Sequence, residues 1–445
     1  MARTDMRMVN SFDPSTADGL PARTRELVER RRRSLGAAYR LFYSNPVHFV
    51  RGQGVFLFDG EGRDYLDAYN NVPVVGHSNL AVYDAVSAQL LRLNTHTRYL
   101  TDEVVSYAER LLSLFPPYLD NVVFACTGSE AVDLALRVSR HVTGRRGVIA
   151  TRHAYHGTTQ VAAEVSPSLG AGNIIPDHIE LVDAPDTLRE PAEDAAAAFG
   201  ERTRQAIARL RTRGYEPAAL LLDSVLSSDG LHIDPAGLLA PAADAIREAG
   251  GLFIADEVQA GFGRTGDWWG FTRHGVEPDL VVLGKPMGNG IPISAVVGRS
   301  DLLDAFGRDV RYFNTFAGNA VSVAAASAVL DQLTNRGLVD NAALVGADIA
   351  HELRALVAND PGVAAVRHTG LFIGIEFTRD AESRDPDAAR AAAVVDEMRE
   401  RRVLISASGR YDNVLKIRPP LVFGSEHAPR LLEAFAESLT ATSPA

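Results

Sequence analysis

The sequence predicts an α/β protein: a mainly parallel, doubly wound sheet forms a large domain, and both chain ends build a smaller α+β domain. Three observations predict it. Short apolar runs near residues 122, 147, 218, 252 and 280 are too brief for helices. They read as buried parallel strands and are separated mostly by helical pattern. From about Gly337 the texture changes, with the alternating run GLFIGIEF (Gly370 to Phe377) as its clearest strand. At 445 residues and 46% hydrophobic composition, the chain can bury a large core and suggests two or three domains.

Taken in order, residues 1–20 are expected to be frayed, and residues 21–75 to join the small domain. Residues 76–330 make the large domain, and residues 331–445 complete the small one. VHFVRGQGVFLFDGEGRDYLDAY alternates apolar and polar residues around two turn signals, so it reads as a small antiparallel meander. The loop Tyr69 to Asn79, which holds Asn71 and His77, precedes a helix from about Leu80 to Leu93. Val122-Val123-Phe124-Ala125 is a strand. Thr127-Gly128-Ser129-Glu130 turns into an amphipathic helix that Gly144 closes. That turn either holds an anion on free backbone N–H groups or is a plain capping box. Gly147 to Ala150 is the next strand, followed by RHAYHGTT, where Tyr155 can stack on a planar ring and Gly157 allows close approach. Further strands run from Ala218 to Leu222, Leu252 to Ala255, Leu280 to Leu283 and over residues 293–298. The polar knot Asn314-Thr315 precedes a long small-residue helix. A helix over 387–401, strands at Val403 to Ser406 and in Val414 to Phe423, and a last helix finish the chain.

The formal charge of −11 argues against a nucleic-acid surface, and the basic run within ARTRELVERRRRSL reads as a solvated helix. One cysteine, Cys126, excludes an internal disulfide framework and suits a reducing cytoplasm. No secretory signal and no 18-residue apolar span is visible, so no membrane partner is expected.

Two strand ends carry the candidate chemistry. The run Leu252 to Ala255 stops at Asp256, and Leu280 to Leu283 leads to Lys285, where an open α/β sheet places its ligand crevice. The chain holds only two lysines, Lys285 and Lys416, among 45 Lys and Arg residues. Imine formation needs a deprotonable amine, which Arg cannot supply. An amine, a carboxylate and a phosphate cradle together describe a pyridoxal phosphate site.

The segments TGSEA (Thr127 to Ala131), AYHG (Ala154 to Gly157), ADEVQAGFGRTG (Ala255 to Gly266), LGKPMGNGIP (Leu283 to Pro292) and NTFAGN (Asn314 to Asn319) carry a resemblance. From about Asn45 to Leu439 the chain resembles the class III aminotransferases, pyridoxal phosphate enzymes of fold type I. The resemblance implies Lys285 as Schiff-base lysine and proton shuttle, and Asp256 as partner of the pyridine nitrogen. It also implies Gly128 and Ser129 on the cofactor phosphate, Tyr155 against the ring and Gln259 near the ring hydroxyl. Thr315 would reach the phosphate of a neighbouring subunit, so a homodimer with shared active sites is expected.

Within that class, RLFYSNPVHFVRGQG, NNVPVVGH, LNTHTRYL, YFNTF and LKIRPP are similar to the amino-phospholyases, which act on phosphoethanolamine or phosphohydroxylysine. Transaminases often hold a carboxylate with an Arg where this chain has Lys416, with Arg418 two residues on. An ammonium is a point charge compatible with phosphate. The chain departs from those relatives at Val74, where they often show His, and at Asn79-Leu80, where they often show His-Pro. The resemblance therefore implies elimination of phosphate and ammonia from a small phosphorylated amine. Asn71, His77, Arg98, Lys416 and Arg418 are the candidate substrate contacts. The alternative is a transaminase moving an amino group from an amine or ω-amino acid to pyruvate or another keto acid.

Overall fold

The computed structural model describes residues 10–443. Of the stretch expected to fray, residues 10–20 are built into the fold instead, and residues 1–9 lie outside the described residues. Asp13 caps a 3-10 turn over Pro14–Gly19, its carboxylate accepting from the Ser15 N–H at 2.9 Å. Phe12 and Leu20 are buried, and Ser11 bridges to Phe42. Two apolar anchors and a bridge outweigh the entropy that would fray the segment. Helix α1 (Ala22–Leu35) follows with no buried residue, the solvated basic helix its composition predicts.

The meander forms as β1 (Phe49–Gln53), β2 (Phe56–Asp59) and β3 (Asp64–Asp67), paired antiparallel. The large sheet contains β4 (Asn121–Ala125), β5 (Gly147–Thr151), β6 (Ile179–Val182), β7 (Pro217–Asp223), β8 (Leu252–Asp256), β9 (Leu280–Leu283) and β10 (Ser294–Gly298). Its order is β4-β10-β9-β8-β7-β5-β6. Strands β9, β8, β7, β5 and β6 run parallel, whereas β10 is antiparallel to both neighbours. The reversal has a simple cause. Only residues 284–293 separate β9 from β10, fewer than the dozen or more a parallel crossover needs. That short return carries Lys285.

Alternate residues of the central strands feed two cores, which is why these strands read as continuous apolar runs. Phe253, Ala255, Val281 and Leu283 pack on one face, and Ile254, Leu280 and Val282 on the other. Helices α2 (Leu80–Arg92), α3 (Asp102–Leu112) and α4 (Gly128–Thr143) come next in the chain. Helix α4 turns Ala131, Val132, Leu134, Ala135, Leu136 and Val138 into the second core. Each such valine or leucine contributes roughly 1.5–3 kcal/mol through burial. Strand β6 was not expected from its sequence, since four residues ending in Leu181-Val182 are too few to show a period.

At the other end, β11 (Val363–Thr369), β12 (Phe372–Phe377), β14 (Ser406–Ser408) and β15 (Val414–Ile417) form an antiparallel sheet ordered β11-β12-β15-β14. The two-residue β13 (Val403–Leu404) instead pairs parallel with β3 and so ties the C-terminal segment to the N-terminal meander. Among the described residues no helix is long and apolar enough to cross a membrane.

Candidate active site

Asp256 is the last residue of β8, opposite Asp223 at the end of β7. Both carboxylates thus emerge from the carboxyl edge of the sheet, the crevice side. Asp256 is buried. Its Oδ1 accepts from the Val258 N–H at 3.0 Å, and its Oδ2 lies 2.6 Å from Nδ1 of buried His156. The other ring nitrogen of His156, Nε2, is buried without a partner. A carboxylate held on both sides in this way keeps one direction, as a partner for a ring nitrogen requires.

Lys285 opens the 3-10 turn Lys285–Gly288 directly after β9 and Gly284. Burial brings its amine down to about 8, with the Arg418 guanidinium adding to the effect and Asp256 and Asp223 pulling back. At pH 7.4 about one copy in five is then neutral, against about one in a thousand for an ordinary lysine, and a nucleophilic or proton-shuttling amine must be neutral to act.

The cradle lies at the N-terminus of α4. Thr127 does cap that helix, its side chain accepting from the Glu130 N–H at 3.2 Å. Glu130 reaches back to the Cys126 N–H at 2.8 Å and also accepts from the Asn314 amide at 3.0 Å. The capping reading and the anion reading are therefore compatible, because Thr127 takes the N–H of Glu130 and leaves those of Gly128 and Ser129 without helical acceptors. Gly157 seals the side of this cradle. It sits at φ +139°, and a Cβ there would fall 2.4 Å from Ser129 Oγ and 2.7 Å from Ser129 Cα. Ser129 Oγ in turn accepts from the Thr158 N–H at 3.0 Å. Next to it Tyr155 is 39% exposed, an aromatic face open to a planar ligand. Val258 packs against both Gly128 and Gly284, closing the distance between the cradle and the lysine turn. These donors, the open aromatic and the amine fit pyridoxal phosphate.

The other expected residues fall into three groups. Gln259 is a connector, its amide donating to Ser227 Oγ at 2.7 Å and its carbonyl accepting from Arg418. Arg418 and Lys416 are buried on and just beyond β15, with the Arg418 guanidinium 4.6 Å over the Tyr69 ring. Burial, then the charge of Arg418, brings the Lys416 amine down to about 7. Asn71 is buried with its amide nitrogen unpartnered. Its loop is clamped by Asn289, which accepts from the Val75 N–H and donates to the Gly76 carbonyl, both at 3.0 Å. His77, by contrast, has its imidazole engaged by Asp67 at 2.7 Å. Arg98 and Thr315 lie on exposed loops, where Arg98 stacks 3.6 Å above the Phe313 ring. The structure thus gathers Lys285, Asp256, Gln259, Lys416 and Arg418, and leaves Arg98 and Thr315 at the surface.

Sequence reasoning missed Asp223, Ser227, Asp229 and the role of His156. Asp223 was detectable, since it stops an apolar run just as Asp256 does. Its carboxylate accepts from Ser227, which continues to Gln259. Asp229 lies in a loop and is pushed up to about 7 by burial; Thr151 donates to it at 2.7 Å.

Residues 42–439 match the family described as aminotransferase class-III, close to the whole chain. The chain belongs to that family. A class III chain with this cradle and lysine is a pyridoxal phosphate enzyme, an aminotransferase or a lyase. It is 40% identical over 430 residues to an alanine–glyoxylate aminotransferase 2-like protein of Drosophila melanogaster, covering 94% of this chain and 87% of the relative. It is 34% identical to an ethanolamine-phosphate phospho-lyase homolog of Caenorhabditis elegans, covering 97% of each. Among solved structures, a phospholyase from Arthrobacter in complex with phosphoethanolamine superposes with a TM-score of 0.90 at 45% identity. That match covers 93% of this class III chain and 99% of the other.

Proposed function

We propose that the protein is a phospholyase that eliminates phosphate and ammonia from a small phosphorylated amine such as O-phosphoethanolamine, giving an aldehyde. One observation carries the reading. Where an arginine fork would suit a planar carboxylate, this chain sets a buried lysine, Lys416, beside a buried arginine, Arg418, next to Lys285. A compact ammonium with a neighbouring guanidinium suits a tetrahedral dianion. The phosphoethanolamine bound to the Arthrobacter relative supports the same substrate class.

Pyridoxal phosphate, when bound, supplies a protonated ring that accepts the electron pair released at the carbon beside the substrate amine. The chain's residues supply the rest. Gly128 and Ser129 would hold the cofactor phosphate, Tyr155 would cover the ring, and Gln259 would serve the ring hydroxyl. Asp256, oriented by His156, would keep the ring nitrogen protonated. Lys285 takes the proton from the carbon beside the amine. Lys416 and Arg418 would hold the phosphate on the next carbon and stabilise its charge as it leaves, and Asn71 has a buried amide free to join them. With one water consumed, phosphoethanolamine yields acetaldehyde, ammonia and phosphate.

The reading includes a homodimer. Thr315 is exposed beside Phe316, which is 71% exposed, and Leu91 and Leu100 are 92% and 98% exposed. Exposed apolar side chains, Phe316 among them in the loop expected to reach a neighbour's cofactor, support pairing of two copies. Cys126, the single cysteine, supports a cytoplasmic setting.

The alternative is transfer of an amino group from an amine or ω-amino acid to a keto acid, which the Drosophila relative's name favours. Incubation with O-phosphoethanolamine should release phosphate and acetaldehyde in equal amounts. Incubation with amines plus pyruvate should give little alanine. Alanine without phosphate release would reverse the assignment.

A further inference from the structure

Lys416 is a largely buried residue whose amine no side chain or carbonyl of the described residues engages. Among the described residues its amine makes neither an ion pair nor a hydrogen bond, although the residue is only 9% exposed. Four charged groups face it. Arg418 comes from its own segment and Lys285 from the turn after β9; Asp223 and Asp229 come from the end of β7 and the loop beyond. None of the four is close enough to pair with it. Arg418 is tied to Gln259 and lies over Tyr69, and Asp223 is occupied by Val225 and Ser227. A buried amine placed between two other cations is relieved most cheaply by shedding its proton, which an arginine at this position cannot do.

We propose that Lys416 is the proton-linked half of the anion site: it rests without its proton and takes one up when a tetrahedral dianion docks beside it and Arg418. This rests on the reading of Lys416 and Arg418 as holders of the substrate anion. Charge is then matched in both states. The empty site carries one fixed cation, Arg418, and the filled site carries two opposite a dianion. The amine stands at about 7 in the empty site, so at pH 8 about nine in ten copies would be neutral. The anion raises that value toward the ordinary lysine range. Binding therefore weakens as pH rises from about 7, by up to about tenfold per unit, and levels off at the raised value.

The test uses holoenzyme, whose cofactor cradle is filled, and inorganic sulfate, which carries no proton of its own at neutral pH. Titration calorimetry at pH 8 in two buffers of different ionisation heat reads the protons taken up per sulfate. The expected uptake is roughly 0.5 to 1 for the natural protein. In Lys416→Arg, a permanent cation, sulfate should still bind, with uptake near zero and the pH dependence flattened. Lys416→Met should bind more weakly and also without uptake. Asp229→Asn, which removes the carboxyl facing Lys416 that itself stands near neutrality, should keep the uptake. Melting temperature and the cofactor absorbance band identify the folded, loaded variants. Sulfate bound without uptake, or uptake that survives in Lys416→Arg and vanishes in Asp229→Asn, overturns the proton linkage alone. Sulfate that fails to bind, or binds Lys416→Met as it binds the natural protein, overturns the anion-site reading and this inference with it.

Discussion

An amine attacks an aldehyde only when it is neutral, so the environment of Lys285 has a consequence for cofactor loading. With that amine brought down to about 8, covalent attachment of pyridoxal phosphate to the apoenzyme should accelerate about tenfold per pH unit below 8 and level off above it. Arg418 is the principal charge behind the shift after burial itself. In Arg418→Met the inflection should move to higher pH, and a stopped-flow pH series on the cofactor absorbance band measures it. An inflection that stays in place would mean that burial alone sets the amine. Lys285 was legible in the sequence because lysine is so rare here that its position asks for a reason. His156 was not. It stands in the AYHG segment, but its partner Asp256 is 100 residues further along the chain, and no local pattern announces that contact.

At the scale of elements, the site is a set of strand ends and the turns that follow them. The turn after β5 carries Tyr155, His156 and Gly157 together, and Gly157 presses against the first turn of α4. Gly157→Ala would put a methyl group into Ser129 and force a residue with a Cβ to hold φ +139°. Backbone strain of that sort costs about 1–3 kcal/mol, so affinity for pyridoxal phosphate should fall by about tenfold or more while the apoenzyme still folds. Equilibrium titration of apoenzyme with cofactor reads the change, and unaltered affinity would show that the cradle does not depend on this contact. Most of these elements could be read from the sequence. The apolar runs of β7, β8 and β9 and the capped helix α4 announce themselves because propensity, pattern and punctuation agree. Strands β6 and β11 were not legible, one too short to show a period and the other mixing Arg367 and His368 into VAAVRHT. The reversal of β10, by contrast, follows from a spacing already present in the sequence, the short return that holds Lys285.

For the whole molecule, the exposed loop of Thr315 and Phe316 is where one chain stops accounting for itself. If two copies share their sites, Phe316→Asp should separate them, because an unpaired carboxylate would be buried in the interface. Sedimentation should show the mass falling from about twice 47.9 kDa toward 47.9 kDa, with bound cofactor lost in step. A monomer that keeps its full complement of cofactor would rule out a shared site.

What the sequence determined by itself was the chemistry: an amine and a carboxylate at neighbouring strand ends, a capped turn able to receive a phosphate, and from them the cofactor. Those features are local, because each depends on a few consecutive residues and on the rule that strand ends line the crevice. What only the tertiary structure decided was the electrostatic setting of those groups. Asp256 meets His156, Gln259 joins Ser227 to Arg418, and Lys416 is left buried beside two cations without an acid to pair with. Such contacts join residues far apart along the chain, and burial, which sets their strength, is a property of the packed molecule and not of any segment.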